Sequence, residues 1–392
     1  MRMGIYLDHA ATTYTDKAVF EAMRPYFEEF FGNPSSQHGF GRAAEKAVMK
    51  ARGQVAALIG ADSSDIYFTA GGTESDNWAI KGVAEAAGNG HIITSAVEHH
   101  AVLETCKYLQ GRGFDVTYLP VDGLGRVNPD DVKKAIRGDT ILISVMTANN
   151  ETGTIMPVRE IGKIAREHDI LFHTDAVQAA GHIPLRVDEL DVDLMSLSAH
   201  KFYGPKGVGA LYVRGGITLS KFIHGGGHEK DKRAGTLNTP GIVGMGAAAE
   251  IALRDMDKNA AHEQALVKRL SDALLQLPES RLNGDPDNRL PGHLNISFGG
   301  IEGEALLTYL DMEGIAISTG SACSSGSSKP SYVLLAMGLS IEEARGAVRI
   351  TLGRENTEEQ IDEVIEKTTA SVKRLQEFSP LFAQRRDKGS YV

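Results

Sequence analysis

The run "SACSSGS", residues 321–327, puts a cysteine where packing gives no reason for one. Cys323 is one of two cysteines in 392 residues, and its neighbours are serine, alanine and glycine. Structural cysteines sit among apolar side chains. A thiol in a small, polar loop has the exposure and freedom that thiolate chemistry requires. Cys106, in "AVLETCKYLQ", falls instead in a helical pattern and reads as a small half-buried thiol.

Three other stretches offer groups that a lone thiol lacks. In "SLSAHKFYGPKG", Lys201 follows Ser198 and His200 at the end of an apolar strand. Apolar walls lower an amine's pKa and make it a nucleophile able to form a Schiff base. In "HTDAVQ", Asp175 lies just past a buried-looking strand, where its charge needs a cation such as a protonated pyridine nitrogen. "GGTESDN" joins a strand to a helix expected to begin near Thr73 or Glu74. Its glycines let an anion approach the backbone, and the helix start offers N–H groups with a positive dipole. The stretch matches neither a nucleotide P-loop nor a dinucleotide-binding fingerprint. His99 or His100, in "EHHAV", offers a flat ring for stacking. A metal site drawing on His99, His100, His173 and His200 is the competing reading, although they show no recognisable metal-ligand spacing.

What must position these groups is a sheet. Strand-like runs at 66–70, 91–95, 116–120, 141–147, 170–173, 194–197 and 209–213 alternate with amphipathic stretches such as 130–137 and 157–168. That alternation predicts a mostly parallel sheet with helices on both faces. Five of the runs end in polar residues, and ligands bind outside the carboxyl ends of such strands. The character changes after about residue 254: a helix is expected over 261–277, weaker strands follow, and Thr357 with Gln360 forms a capping box before a final amphipathic helix. We expect an N-terminal segment over 1–15, a large α/β domain over 16–254 and a smaller α+β domain over 255–392, with the cysteine loop at 318–330.

Composition narrows the class. Apolar content of 42% and charged content of 23% are those of a soluble globular protein. A net charge of −10 argues against nucleic-acid binding, and no run is long and apolar enough to cross a membrane. Two cysteines and an exposed thiol suit a reducing, cytoplasmic compartment.

Taken together, "YLDHAATT", "GNPSSQHGFGR", "GGTESDN", "EHHAV", "NNETGT", "HTDAVQAAGH", "SLSAHKFYGPKG", "RAGTLNTP", "STGSACSSGS" and "RITLGR" resemble the NifS/IscS-type cysteine desulfurases of the class-V aminotransferase family. The motifs run in order from residue 6 to 354. The resemblance implies the fold of the pyridoxal-phosphate aminotransferases (fold type I), with pyridoxal 5'-phosphate as cofactor. It implies that Lys201 holds the cofactor, His99 stacks on its ring, Asp175 pairs with the ring nitrogen and Gln178 meets the phenolic oxygen. Gly72, Thr73, Ser198 and His200 serve the phosphate, joined by Thr236 from the second subunit of a homodimer. Asn150 and Arg349 fix the substrate L-cysteine, and Cys323 takes its sulfur as a persulfide for an IscU/NifU-like scaffold protein. His228 stands where such enzymes more often carry Gln. Two rivals share parts of this pattern: a lyase acting on selenocysteine or a sulfinate, and a Cys-His hydrolase.

Overall fold

The computed structural model describes residues 4–319, 329–380 and 382. Cys323 and most of its loop lie outside these residues. Twelve strands are formed among those described: β1 (Ile5–Tyr6), β2 (Ile66–Thr69), β3 (His91–Ser95), β4 (Asp115–Leu119), β5 (Thr140–Ser144), β6 (Leu171–Asp175), β7 (Leu194–Ser198), β8 (Gly209–Val213), β9 (Ser280–Asn283), β10 (His293–Phe298), β11 (Ile315–Ala316) and β12 (Ala347–Thr351).

Seven of them make one sheet in the order β2-β8-β7-β6-β5-β3-β4, in which only β8 runs antiparallel to its neighbours. Every residue of β3, β7 and β8 is buried, as expected of apolar strands covered on both faces. One core cluster, with Phe172, Met195 and Ile242, packs on one side of the sheet; a second, with Trp78, Ile80 and Val102, packs on the other. A third cluster surrounds the antiparallel sheet β12-β10-β9 and takes in Leu7 beside β1, which pairs with β11. The N-terminal segment is thus tied into the smaller sheet, and Thr13 reaches the other way, its N–H and hydroxyl donating to the His200 carbonyl at 2.9 Å.

Three expectations are corrected. The helix after β2 runs Gly72–Ala87, starting at the second glycine rather than at Thr73 or Glu74. Asp175 is the last residue of β6 rather than a residue beyond it. The stretch read as a helix over 261–277 is the second half of one 36-residue helix, Thr239–Leu274, which passes through residue 254 without interruption. Its first half is rich in glycine and alanine, which mask a helical period but allow the close approach described below. The final helix, Glu358–Glu377, carries the expected Thr357–Gln360 capping box.

Candidate active site

The carboxyl end of β7 and the start of the helix Gly72–Ala87 meet over one cleft of about 590 Å³, lined by Gly71, Gly72, Thr73, Ser198, His200 and Lys206 among others. The helix is capped by Gly71, at φ 156°, with no side-chain cap, so its first N–H groups are not taken by a capping side chain. A side chain at Gly72 would bring a Cβ within 2.6 Å of Val177 Cγ2, which explains the second glycine of the pair. Ser198, the last residue of β7, is buried; the exposed Thr73 lines the same cleft. His200 Nδ1 lies 3.1 Å from Thr12 Oγ1, and burial, followed by the charge of Lys201, brings its pKa down to about 4.

Lys201 ends the short 3-10 turn Ala199–Lys201. Its Nζ donates to the carbonyls of Ala10 and Ala11 (2.9 Å to the latter), and Gln178 Nε2 donates to the same Ala10 carbonyl at 3.0 Å. The N-terminal segment therefore gathers the lysine and the glutamine at one point. Asp175 is 6% exposed and accepts from the Val177 N–H at 2.9 Å. Burial raises its pKa, against the pull of His99 and of Lys201. His99 caps the helix His100–Gln110, its Nδ1 accepting from the Ala101 N–H at 3.2 Å. Burial lowers its pKa, partly offset by Asp175, so the ring facing the site is neutral.

Arg349 lies in the middle of β12 and is 4% exposed. It donates to the Asn150 carbonyl at 2.9 Å and to Asp8 Oδ1 at 2.8 Å, while its Nε and Asn150 Oδ1 are buried without hydrogen-bond partners in the structure. Ser318, just before the segment of Cys323, exchanges backbone hydrogen bonds with Arg349 at 3.0 and 2.6 Å.

Thr236 is exposed on its own chain and is not among the residues lining this cleft. Its loop is anchored at two points: Arg233 donates to Glu74 at 2.7 and 3.1 Å, and the buried Glu229 is held by Arg52 at 2.7 and 2.8 Å and by the Phe68 N–H at 2.8 Å. His228 begins the turn whose next three residues, Glu229, Lys230 and Asp231, hold φ of 46°, 54° and 62°. The four histidines of the metal reading do not gather their ring nitrogens: both those of His173 lie against serines, and the His100 ring packs on Tyr332.

Sequence reasoning missed Asp8, Thr12, Asp76 and the Ala10 and Ala11 carbonyls. The polar run "DHAATT" directly after an apolar "IYL" was a signal for the first two. Backbone carbonyls carry no signal of their own.

The model of the class-V aminotransferase family matches residues 5–364. The chain is 54% identical over 387 residues to the cysteine desulfurase IscS of Dictyoglomus turgidum, covering 97% of each chain. The chain belongs to the NifS/IscS branch of the class-V aminotransferases. Among solved structures, this class-V chain matches a NifS-like protein with a TM-score of 0.90 and 42% identity, over 95% of this chain and all of the other. It also matches SspA in complex with cysteine, with a TM-score of 0.80 and 40% identity, over 90% of this chain and all of SspA.

Proposed function

We infer that the protein is a pyridoxal-phosphate-dependent cysteine desulfurase, which takes sulfur from L-cysteine, leaves L-alanine and carries the sulfur on Cys323 as a persulfide. The observation that carries this reading is that the charges of His99 and Lys201 act on the buried Asp175 carboxyl, which lies within 4.8 Å of Asp76 in the helix with the uncapped start, in a chain so similar to a cysteine desulfurase.

The donor set fits the cofactor. Lys201 would hold its aldehyde carbon and Asp175 its ring nitrogen, with the neutral His99 ring stacked on its face and Gln178 at its phenolic oxygen. Thr73, Ser198 and His200 would take the phosphate, with Gly72 opening the backbone to it. The unpartnered Asn150 Oδ1 and Arg349 Nε suit a substrate amino acid, whose carboxylate the guanidinium can grip in bidentate fashion. Exposed Phe20, Phe27, Phe30, Phe31 and Phe40 support a homodimer, in which Thr236 would reach the partner's phosphate. We further propose that 16–254 forms the cofactor-binding part and 255–392 the smaller part, joined through the helix Thr239–Leu274 rather than through a linker.

Bound pyridoxal phosphate supplies an electron sink for the pairs released at the substrate's Cα and Cβ. Lys201 moves the proton at Cα, and Arg349 fixes the substrate so that this proton faces the amine. The Cys323 thiolate attacks the substrate sulfur: an S–S bond forms as the C–S bond breaks. The carbon keeps the bonding pair and is protonated to give alanine. The persulfide then passes to an acceptor, for which we propose an IscU/NifU-like scaffold. Arg349 joins this chemistry to the loop through its backbone pairing with Ser318.

Mass spectrometry after addition of cysteine tests the assignment. Cys106 is fully buried, and burial pushes its thiol up to about 12, so it stays an inert thiol. The parent and Cys106→Ala should gain the mass of about one sulfur, and Cys323→Ala should gain none. A persulfide on Cys106, or full turnover without Cys323, would sink the reading.

A further inference from the structure

Asp76 has no role in the chemistry above, yet it is buried beside it. It lies in the second turn of the helix Gly72–Ala87, is 1% exposed, and its Oδ1 has no hydrogen-bond partner. One donor atom each from Asp76, His99 and Asp175 lie within 4.8 Å of one another. Two buried carboxyls so close cannot both ionise cheaply.

The groups facing Asp76 offer it no counter-charge. From β6 come Asp175 and His173, whose Nε2 is 3.7 Å from Asp76 Oδ1. That ring bonds Ser144 Oγ at 2.9 Å and Ser196 Oγ at 3.0 Å, and burial brings its pKa down to about 3, so it is neutral. From β7 comes the Ser196 hydroxyl, a neutral group whose only effect on Asp76 is a lowering of its pKa that burial outweighs. Before the helix His100–Gln110 stand neutral His99 and Glu98, the latter pushed up to about 8 by burial. The nearby amine of Lys201 is committed to the cofactor whenever the cofactor is bound. One cation then remains, the ring nitrogen, and Asp175 meets it. Burial, and next the charge of Asp175, push the Asp76 carboxyl well upward.

We propose that Asp76 is a positioning residue for Asp175: it keeps its proton, leaves Asp175 as the single anion facing the ring nitrogen, and packs between it and the hydrogen-bonded Ser144–His173–Ser196 chain. The proposal rests on the pyridoxal-phosphate reading.

Asp76→Asn and Asp76→Ala, made in the full-length protein and measured with and without cofactor, test it. Asparagine reproduces a neutral, hydrogen-bonding acid. Asp76→Asn should hold kcat/KM for cysteine within about twofold of the parent, and the pH midpoint of the bound cofactor's visible band within about 0.3 unit. Asp76→Ala removes the carboxyl that packs beside Asp175 and should lower kcat several-fold at unchanged KM. In the cofactor-free chain, the folded acid holds a proton that the unfolded chain releases above about pH 4, so the parent loses stability as pH rises. Asp76→Asn removes that loss and should raise the urea midpoint more at about pH 8 than at about pH 5. A shift independent of pH would mean a packing role only and would overturn the proposal. So would a tenfold loss of kcat in Asp76→Asn, or a band midpoint moved by about a full unit, either of which means that Asp76 works as an anion. A parent that binds no cofactor sinks the desulfurase reading and the role toward Asp175 with it, whereas the cofactor-free series still reports the protonation of Asp76.

Discussion

Arg349 is the residue whose substitution separates recognition from chemistry. The residue is 4% exposed, and its guanidinium already holds two oxygens, the Asn150 carbonyl and Asp8 Oδ1. Arg349→Lys keeps the charge but cannot span two such partners and still grip a carboxylate. Losing a charge-assisted, buried contact costs on the order of 1.5–3 kcal/mol, so KM for cysteine should rise roughly ten- to hundredfold. A surface ion pair would be worth far less, and an unchanged KM would move the carboxylate contact elsewhere, with Arg354 the next candidate. At this scale the sequence was legible where one residue type answers one chemical need: an amine at Lys201, a carboxyl at Asp175, a fork at Arg349. It was silent on Asp76, because an acid that serves another acid looks, in a string of letters, like any polar residue near a helix start.

At the scale of elements, the strands were readable because β-branched and apolar runs bounded by polar ends have few other uses. The paired segments of the main sheet fall where expected, shifted by a residue or so at most ends. The long helix Thr239–Leu274 was not readable as one element, and its glycines show why. A Cβ at Gly246 would lie 2.6 Å from Ala51 Cα, on the helix Gly39–Ile59, and one at Gly244 would lie 2.5 Å from Met23 Sδ. Those glycines serve the packing of two helices, at the expense of the pattern that announces one. The same substitution should therefore change sign between the two helices. Gly53, inside the helix Gly39–Ile59, has nothing within 4 Å of its would-be Cβ. Gly53→Ala should stabilise by about 0.5–1 kcal/mol through helix propensity alone. Gly246→Ala gains the same propensity but drives a methyl into backbone, which costs about 1–3 kcal/mol, so it should destabilise on balance. Urea midpoints of the two variants against the parent decide it: equal signs would mean that the helices separate freely.

The whole molecule buries acids and histidines away from the pH at which either would choose to ionise, and the two sets act on opposite sides of neutrality. Burial pushes Glu98 and Glu263 up to about 8. It brings His9 and His200 down to about 4 and His173 to about 3. The histidines bind fewer protons folded than unfolded, so their share of the stability is present above about pH 6.5 and is lost as the pH falls toward 4. The acids bind more protons folded than unfolded; their share is present below about pH 4.5 and is lost as the pH rises through 8. Near neutrality the histidine contribution is complete and the acid contribution is still falling, so stability should decline from about pH 6.5 upward. Each acid accounts for about 1.4 kcal/mol per pH unit, or roughly 2 kcal/mol between pH 6.5 and 8. Glu98 accepts from the Ser95 hydroxyl at 2.6 Å and from the Met146 N–H at 3.0 Å, both through Oε1, which an amide oxygen can replace. Glu263, 2% exposed in the helix Thr239–Leu274, feels Arg354 only weakly against its burial. The double variant Glu98→Gln, Glu263→Gln should therefore match the parent near pH 4 and lose less as the pH rises, the gap widening by about 4 kcal/mol between pH 6.5 and 8. Urea unfolding of both proteins across that range is the measurement, and parallel pH profiles would mean that the two carboxyls are already ionised in the folded chain.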